Sequence, residues 1–146
     1  MRNWVLRRIK HPSTRQHAMP KAHPSQLAPH APQKAASCLL QQLLHAINTQ
    51  DLATLAQFGI HDGVWAEMQE ELQSIGEAYH CTPQLALAPQ APAFALFEMN
   101  PVKGQACWGM EAPLWIEGQR SNWTLRAELC SSPAGWVLLY RLVEVM

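Results

Sequence analysis

Three histidines, His45, His61 and His80, are the side chains of the chain beyond residue 34 that ordinarily titrate near neutral pH. They are the candidates for acid–base work, or for the polar group of a ligand pocket. Asp62 follows His61 and could orient its imidazole; the competing reading makes Asp62 a helix cap and His61 a loop residue. Cys81 follows His80, a pair that would suggest an activated thiol, but neighbours in an extended chain point to opposite sides. His45 lies between Leu44 and Ile47 of a helical stripe and reads as a boundary residue. No glycine-rich phosphate loop, HExxH, GxGxxG or serine elbow accompanies them. Any catalysis would have to assemble its acid and base through the fold, so enzymatic activity is left open and no cofactor is expected.

The four cysteines, Cys38, Cys81, Cys107 and Cys130, are 43, 26 and 23 residues apart, so no CxxC pair exists to close a metal or redox site. No metal is expected. The apolar run Trp4-Val5-Leu6 is too short for a secretory signal and is followed by Arg7 and Arg8. The expectation is a reducing cytoplasm with four free, buried thiols. No apolar run reaches the roughly 20 residues of a membrane span.

The polar turn Arg120-Ser121-Asn122 can donate to an anion or a carboxylate, or serve its own backbone as hairpin residues do. Glu67, Glu70, Glu71, Glu77 and Asp62 make one acidic cluster, read as a solvated helix face or a docking site for a basic partner. Five of the six tryptophans, Trp65, Trp108, Trp115, Trp123 and Trp136, fall in the second half of the sequence or close to it. Large aromatic side chains fill a core, yet they are also the anchors of interfaces and pockets. With Arg120 and Arg126, the tryptophans Trp108, Trp115, Trp123 and Trp136 are the candidates for contact with a partner or ligand.

These residues need elements to hold them. Residues 1–50 carry seven basic and no acidic side chains, whereas residues 51–146 carry four basic and eleven acidic ones, so the zero net charge conceals a division. Residues 1–34 read as a disordered, basic tail, because Pro12, Pro20, Pro24, Pro29 and Pro32 forbid a helix and few large apolar groups offset the entropy of ordering. Its start, with Arg2, Trp4, Arg7, Arg8 and Lys10, is the place for a nucleic-acid or membrane contact; Met19 is an alternative native start. From Ser37, a good N-cap, Leu39, Leu40, Leu43, Leu44 and Ile47 predict a helix to Thr49. Asp51 caps a short helix with a stripe of Leu52, Leu55 and Phe58 that Gly59 ends. Asp62 caps a third, over 63–75, stopped by Gly76.

Beyond Thr82 the period changes from 3.6 to 2. Strands are predicted over 84–88, 93–99, 105–117, 121–130 and 135–145, with Gly109 and Pro113 marking a bulge or bend. In "RSNWTLRAEL", Trp123, Leu125, Ala127 and Leu129 oppose Asn122, Thr124, Arg126 and Glu128. In the last strand Trp136, Leu138, Tyr140 and Leu142 oppose Val137, Leu139, Arg141, Val143 and Val145; it suits a central or helix-covered place, although a meander puts it at an edge. The expected fold over 35–146 is one α+β domain: about three N-terminal helices on one face of a curved antiparallel meander of about four strands. The other face is left for solvent, a ligand or a partner.

The stretch "LLHAINTQDLATLAQFGI" with "LWIEGQRSNWTLRAEL" and a closing apolar strand resembles a small bacterial α+β family of uncharacterised function. The matching residues are Asp51, Gly59, Ile60, Arg120, Ser121 and Asn122, with Asn122 where that family has Asp. The resemblance implies a fold similar to the cystatin-like or nuclear-transport-factor-like roll, whose members include ligand binders, enzymes and bacterial immunity proteins. The leading expectation is a non-enzymatic bacterial protein-interaction module, immunity-like or accessory, binding through the open sheet face. The alternative is a small-molecule-binding or weakly catalytic roll with a pocket between helices and sheet.

Overall fold

The computed structural model describes residues 31–101 and 103–146. The tail and its nucleic-acid or membrane contact lie outside the described residues, apart from residues 31–34. Those four belong to the first helix, α1 (Ala31–Thr49), which starts six residues before Ser37. Pro32 sits in its first turn, where a missing N–H costs no hydrogen bond, so Ser37 is interior and not a cap. Ala36, Leu40, Leu43, Leu44 and Ile47 are buried along one stripe.

Gln50, at φ 55°, reverses the chain, and Asp51 N–H returns to the Ala46 carbonyl at 2.9 Å. Asp51 can therefore cap α2 (Leu52–Gln57) at once: its carboxylate accepts from Thr54 N–H at 3.2 Å and from Thr54 Oγ1 at 2.7 Å. These bonds hold the Asp51 carboxyl below its ordinary pKa. Leu55 and Phe58 are buried, but Leu52 is 57% exposed and leaves the expected stripe. Gly59, at φ 82°, ends the segment as expected.

The third helix, α3 (Asp62–Tyr79), runs through Gly76 and ends one turn later at left-handed His80. Gly76 is needed for another reason. A Cβ there would lie 2.9 Å from the Cys81 carbonyl oxygen, where the departing chain folds back on the helix. Asp62 is also not the cap; His61 holds that position without a side-chain bond, and Asp62 places its charge in the first turn, where the helix dipole favours it.

Five strands follow: β1 (Leu85–Ala86), β2 (Ala95–Glu98), β3 (Cys107–Ile116), β4 (Gln119–Ser132) and β5 (Gly135–Val145). They form one antiparallel sheet in which β1 and β2 share the outer edge of β3, followed by β4 and β5. Pro113 falls between the last β2 pair, Ala95 with Glu111, and the nearest β1 pair, Ala86 with Trp115. That stretch of β3 has no partner on its outer side, so the ring removes no ladder bond there. Glu117 and Gly118, at φ 53° and 77°, form the two-residue turn that matches the twist of a hairpin.

The sheet curls around the helices. Met110, Ala112, Leu114 and Ile116 of β3, Trp123, Leu125, Ala127 and Leu129 of β4, and Leu138, Tyr140 and Val143 of β5 are buried with the helical stripes in one core. The jump from Leu138 and Tyr140 to Val143 marks a bulge. Tyr140 pairs with Ala127 but Leu142 with Arg126, so Arg141 is an extra residue and the alternation changes phase. Leu142, which simple alternation puts on the side of Leu138 and Tyr140, turns to the open face and Val143 takes its place. β5 lies at the sheet edge, where Tyr140 N–H donates to the Phe58 carbonyl at 2.9 Å.

Asn48 ties the helical layer to the opposite edge. Its side chain accepts from Leu85 N–H at 2.8 Å and donates to the Leu85 carbonyl at 2.9 Å, acting as a one-residue strand beside β1. The cysteines depart from expectation. Cys107 and Cys130 stand directly opposite each other on β3 and β4 and form a disulfide, while Cys38 is exposed and free and Cys81 half-buried and free.

Asn48→Ala should lower stability by about 1–3 kcal/mol, since it strips both backbone groups of Leu85; denaturant titration checks this. Cys107→Ser with Cys130→Ser should cost about 3 kcal/mol by releasing the loop the bridge closes, and the loss should match that of the reduced wild-type chain.

Candidate interaction face

The expected site residues separate onto different surfaces. His45 is exposed on α1, beside a shallow groove of about 330 Å³ with Gln41, Asn48 and Leu85. His61 and His80 flank the two ends of α3, and a helix of 18 residues spans about 27 Å, so these two cannot act on one substrate atom. The thiol of Cys81 is held above its ordinary pKa by burial and by the charge and hydrogen bond of Glu117, the reverse of activation. Among the described residues no group of three or more His, Cys, Asp or Glu side chains could hold a metal ion.

The tryptophans divide between the two faces. Trp123 is 9% exposed beneath α3, where its Nε1–H donates to Glu71 Oε1 at 3.0 Å and its ring lies 6.2 Å from that of Tyr79. It belongs to the core, and the bond takes Glu71 out of the acidic surface cluster. Trp108 and Trp136 follow the phase of Met110 and Leu138 onto the covered side, half-buried and edge to face at 5.5 Å. Tyr140 is buried near Glu71 and Glu67, which raises its hydroxyl far above the ordinary phenol range and keeps it protonated. Trp115 alone of the tryptophan candidates has the phase of the open face, opposite Arg120 and beside Ala86.

That face is crossed by a ladder of charge. Arg126 of β4 donates through Nη1 to Glu111 of β3 and through Nε to Glu144 of β5. Arg141 donates to Glu128 at 2.6 Å. Arg126, expected as a contact for a partner, is therefore already engaged by carboxylates from both neighbouring strands. Around these pairs lie Val137, 38% exposed, and Leu142, 40% exposed. At the end of the face bounded by the β3–β4 bulge is a cleft of about 550 Å³, lined by Pro92, Phe94, Glu111, Pro113, Arg120 and Asn122 among others.

No family model, curated protein or solved structure matches the chain. Glu111, Glu144 and Phe94 were not among the sequence candidates, because only the strand register brings them to Arg126 and Arg120. An alternation of opposite charges on adjacent strands was the available signal, and it is readable only once the pairing is known.

Arg126→Gln should leave Glu111 and Glu144 facing each other across β4 without a cation. We expect a stability loss of about 1–2 kcal/mol, between the values for exposed and buried pairs, with an unchanged far-ultraviolet circular dichroism spectrum. Recovery in Arg126→Lys tests the charge itself.

Proposed function

We propose that the domain is a non-enzymatic module that binds a protein partner through the open face of its sheet. The observation that carries this reading is the contrast between the two faces. Among the described residues twelve large side chains are less than 2% exposed, and they pack together in the core between helices and sheet. The opposite face carries half-buried Trp115 and exposed Val137 and Leu142 around the paired charges of the Arg126 and Arg141 ladder, with Arg120 at one end.

A partner covering such a face meets an apolar and aromatic patch with polar surroundings, and it strands no isolated ion at the ladder. Four strand positions at about 4.8 Å and ten residues at about 3.3 Å make the face on the order of 600 Å². That approaches the roughly 800 Å² that each protein contributes to a standard interface. An immunity-like or accessory role in a bacterium is the finer form of the proposal, supported by the resemblance of the segments around Asp51–Ile60 and Arg120–Asn122 to the small bacterial family.

The test is site-specific photocrosslinking in the native cells. A photoreactive residue at Val137 or Leu142 is expected to give one discrete, sequenceable adduct that Trp115→Ala weakens, whereas the same residue at exposed Gln69 on α3 gives none. Equal adducts from both surfaces, or none from the open face, would contradict the proposal.

A further inference from the structure

The cleft at the bulged end of the open face has a polar wall and an apolar wall, and both follow from the way β3 meets β4. Between the pairs Pro113–Thr124 and Trp115–Arg120, β4 advances four residues while β3 advances two. Ser121, Asn122 and Trp123 thus stand against Leu114 alone, an excess of two residues that Ser121 pins in place. Buried at 6% exposure, it donates from Oγ to the Leu114 carbonyl at 2.7 Å and accepts from Trp123 N–H at 3.1 Å. Ser121 therefore spends its hydroxyl on the backbone, and Arg120 and Asn122 on either side are exposed in the cleft. Facing them are Pro92 and Phe94 from the β1–β2 connection and Pro113 from β3.

The charges of the cleft are unevenly used. Residues 51–146 have only four basic side chains against eleven acidic ones. Arg126 and Arg141 are engaged by Glu111, Glu144 and Glu128. Arg120 makes no ion pair or side-chain hydrogen bond among the described residues, although carboxylates outnumber cations nearly threefold. The side-chain carboxylate in the cleft wall, Glu111, is occupied by Arg126, so it does not neutralise the Arg120 guanidinium. Met146 also lines the cleft, with its backbone N–H donating to the Asn122 carbonyl at 2.8 Å, and no carboxylate of the described residues lies within ion-pair distance of Arg120. A volume of about 550 Å³ falls in the range of small-ligand sites, about 300–1,000 Å³, and suits a chain end better than a folded element.

We propose that this cleft is a carboxylate site. It receives the C-terminal carboxylate of an extended, apolar chain end on Arg120, with Asn122 as a second donor and the terminal side chain against Pro92, Phe94 and Pro113. The proposal rests on the reading that the open face is the interaction face, and it names the chemistry of the partner segment.

The test uses the isotope-labelled full chain, titrated by NMR with a pentapeptide ending in Leu-Phe. The peptide is supplied as the free acid and as its C-terminal amide, with N-acetyl-leucine as a small apolar acid. The free acid is expected to shift the amides of Arg120, Asn122 and Ala95, and the amide twin to bind at least about tenfold more weakly, the weight of one charge-assisted pair. Arg120→Gln should reduce the acid to the level of the amide, Arg120→Lys should restore part of the difference, and Arg141→Gln should leave it unchanged. Equal binding of acid and amide, or shifts confined to other surfaces, would overturn the carboxylate site. N-acetyl-leucine binding as tightly as the peptide acid would overturn the chain-end assignment. Crosslinks from Val137 and Leu142 that persist unchanged in Arg120→Gln, alongside equal binding of acid and amide, would sink this site and spare the interaction face. Absence of those crosslinks when Arg120 is intact would sink the face itself.

Discussion

Strand β4 has neighbours on both sides for most of its length, and its side chains must alternate between the two surfaces of the sheet. Burying Trp123, Leu125, Ala127 and Leu129 against the helices commits Thr124, Arg126, Glu128 and Cys130 to the other side. A slip of one residue would exchange the two sets and place Arg126 and Glu128 in the core. The devices at the ends of β4 hold this phase. The turn at Glu117 and Gly118 starts the strand, Ser121 accommodates its first bulge, and the Cys107–Cys130 bridge ties it to β3 near its far end.

The same alternation explains why Arg126 sits where it does. On the open face it lies between Glu111 and Glu144, one from each neighbouring strand, so the three-residue ladder ties β3, β4 and β5 together across their width. Its energy is modest, because the face is open to water. Its consequence for recognition is larger, since the paired charges leave Trp115, Val137, Leu142 and the cleft beside Arg120 as the places where a partner can gain energy. The covered face uses its tryptophans differently: Trp123 anchors α3 through Glu71, and Trp108 and Trp136 pack on each other.

Much of the fold was legible because its signals are local. Period 3.6 before Thr82, period 2 after it, the Asp51 cap and the Gly59 stop each need only a few neighbouring residues. The misread positions depend on distant atoms. Gly76 looks like a helix stop, yet it is a glycine because the Cys81 carbonyl approaches it. Leu142 alternates with Leu138 and Tyr140 in the sequence, and only the extra residue Arg141 shifts it to the other side. Cys107 and Cys130 carry no spacing signature, and their bridge follows only from the β3–β4 register. The candidate site was less legible for the same reason: Arg120 and Trp115 were visible as types, but Arg126 gains its carboxylates, and Arg120 its apolar wall, across strands far apart in sequence.

The most direct measurement of the two-faced sheet is the fluorine spectrum of the chain labelled with 5-fluorotryptophan, recorded with a soluble gadolinium chelate and assigned by single substitution. The Trp115 resonance should broaden strongly and the Trp123 resonance should stay sharp, since one ring is on the open face and the other beneath α3. Equal broadening of both, or a sharp Trp115 with a broadened Trp123, would contradict the assignment of one covered and one free face.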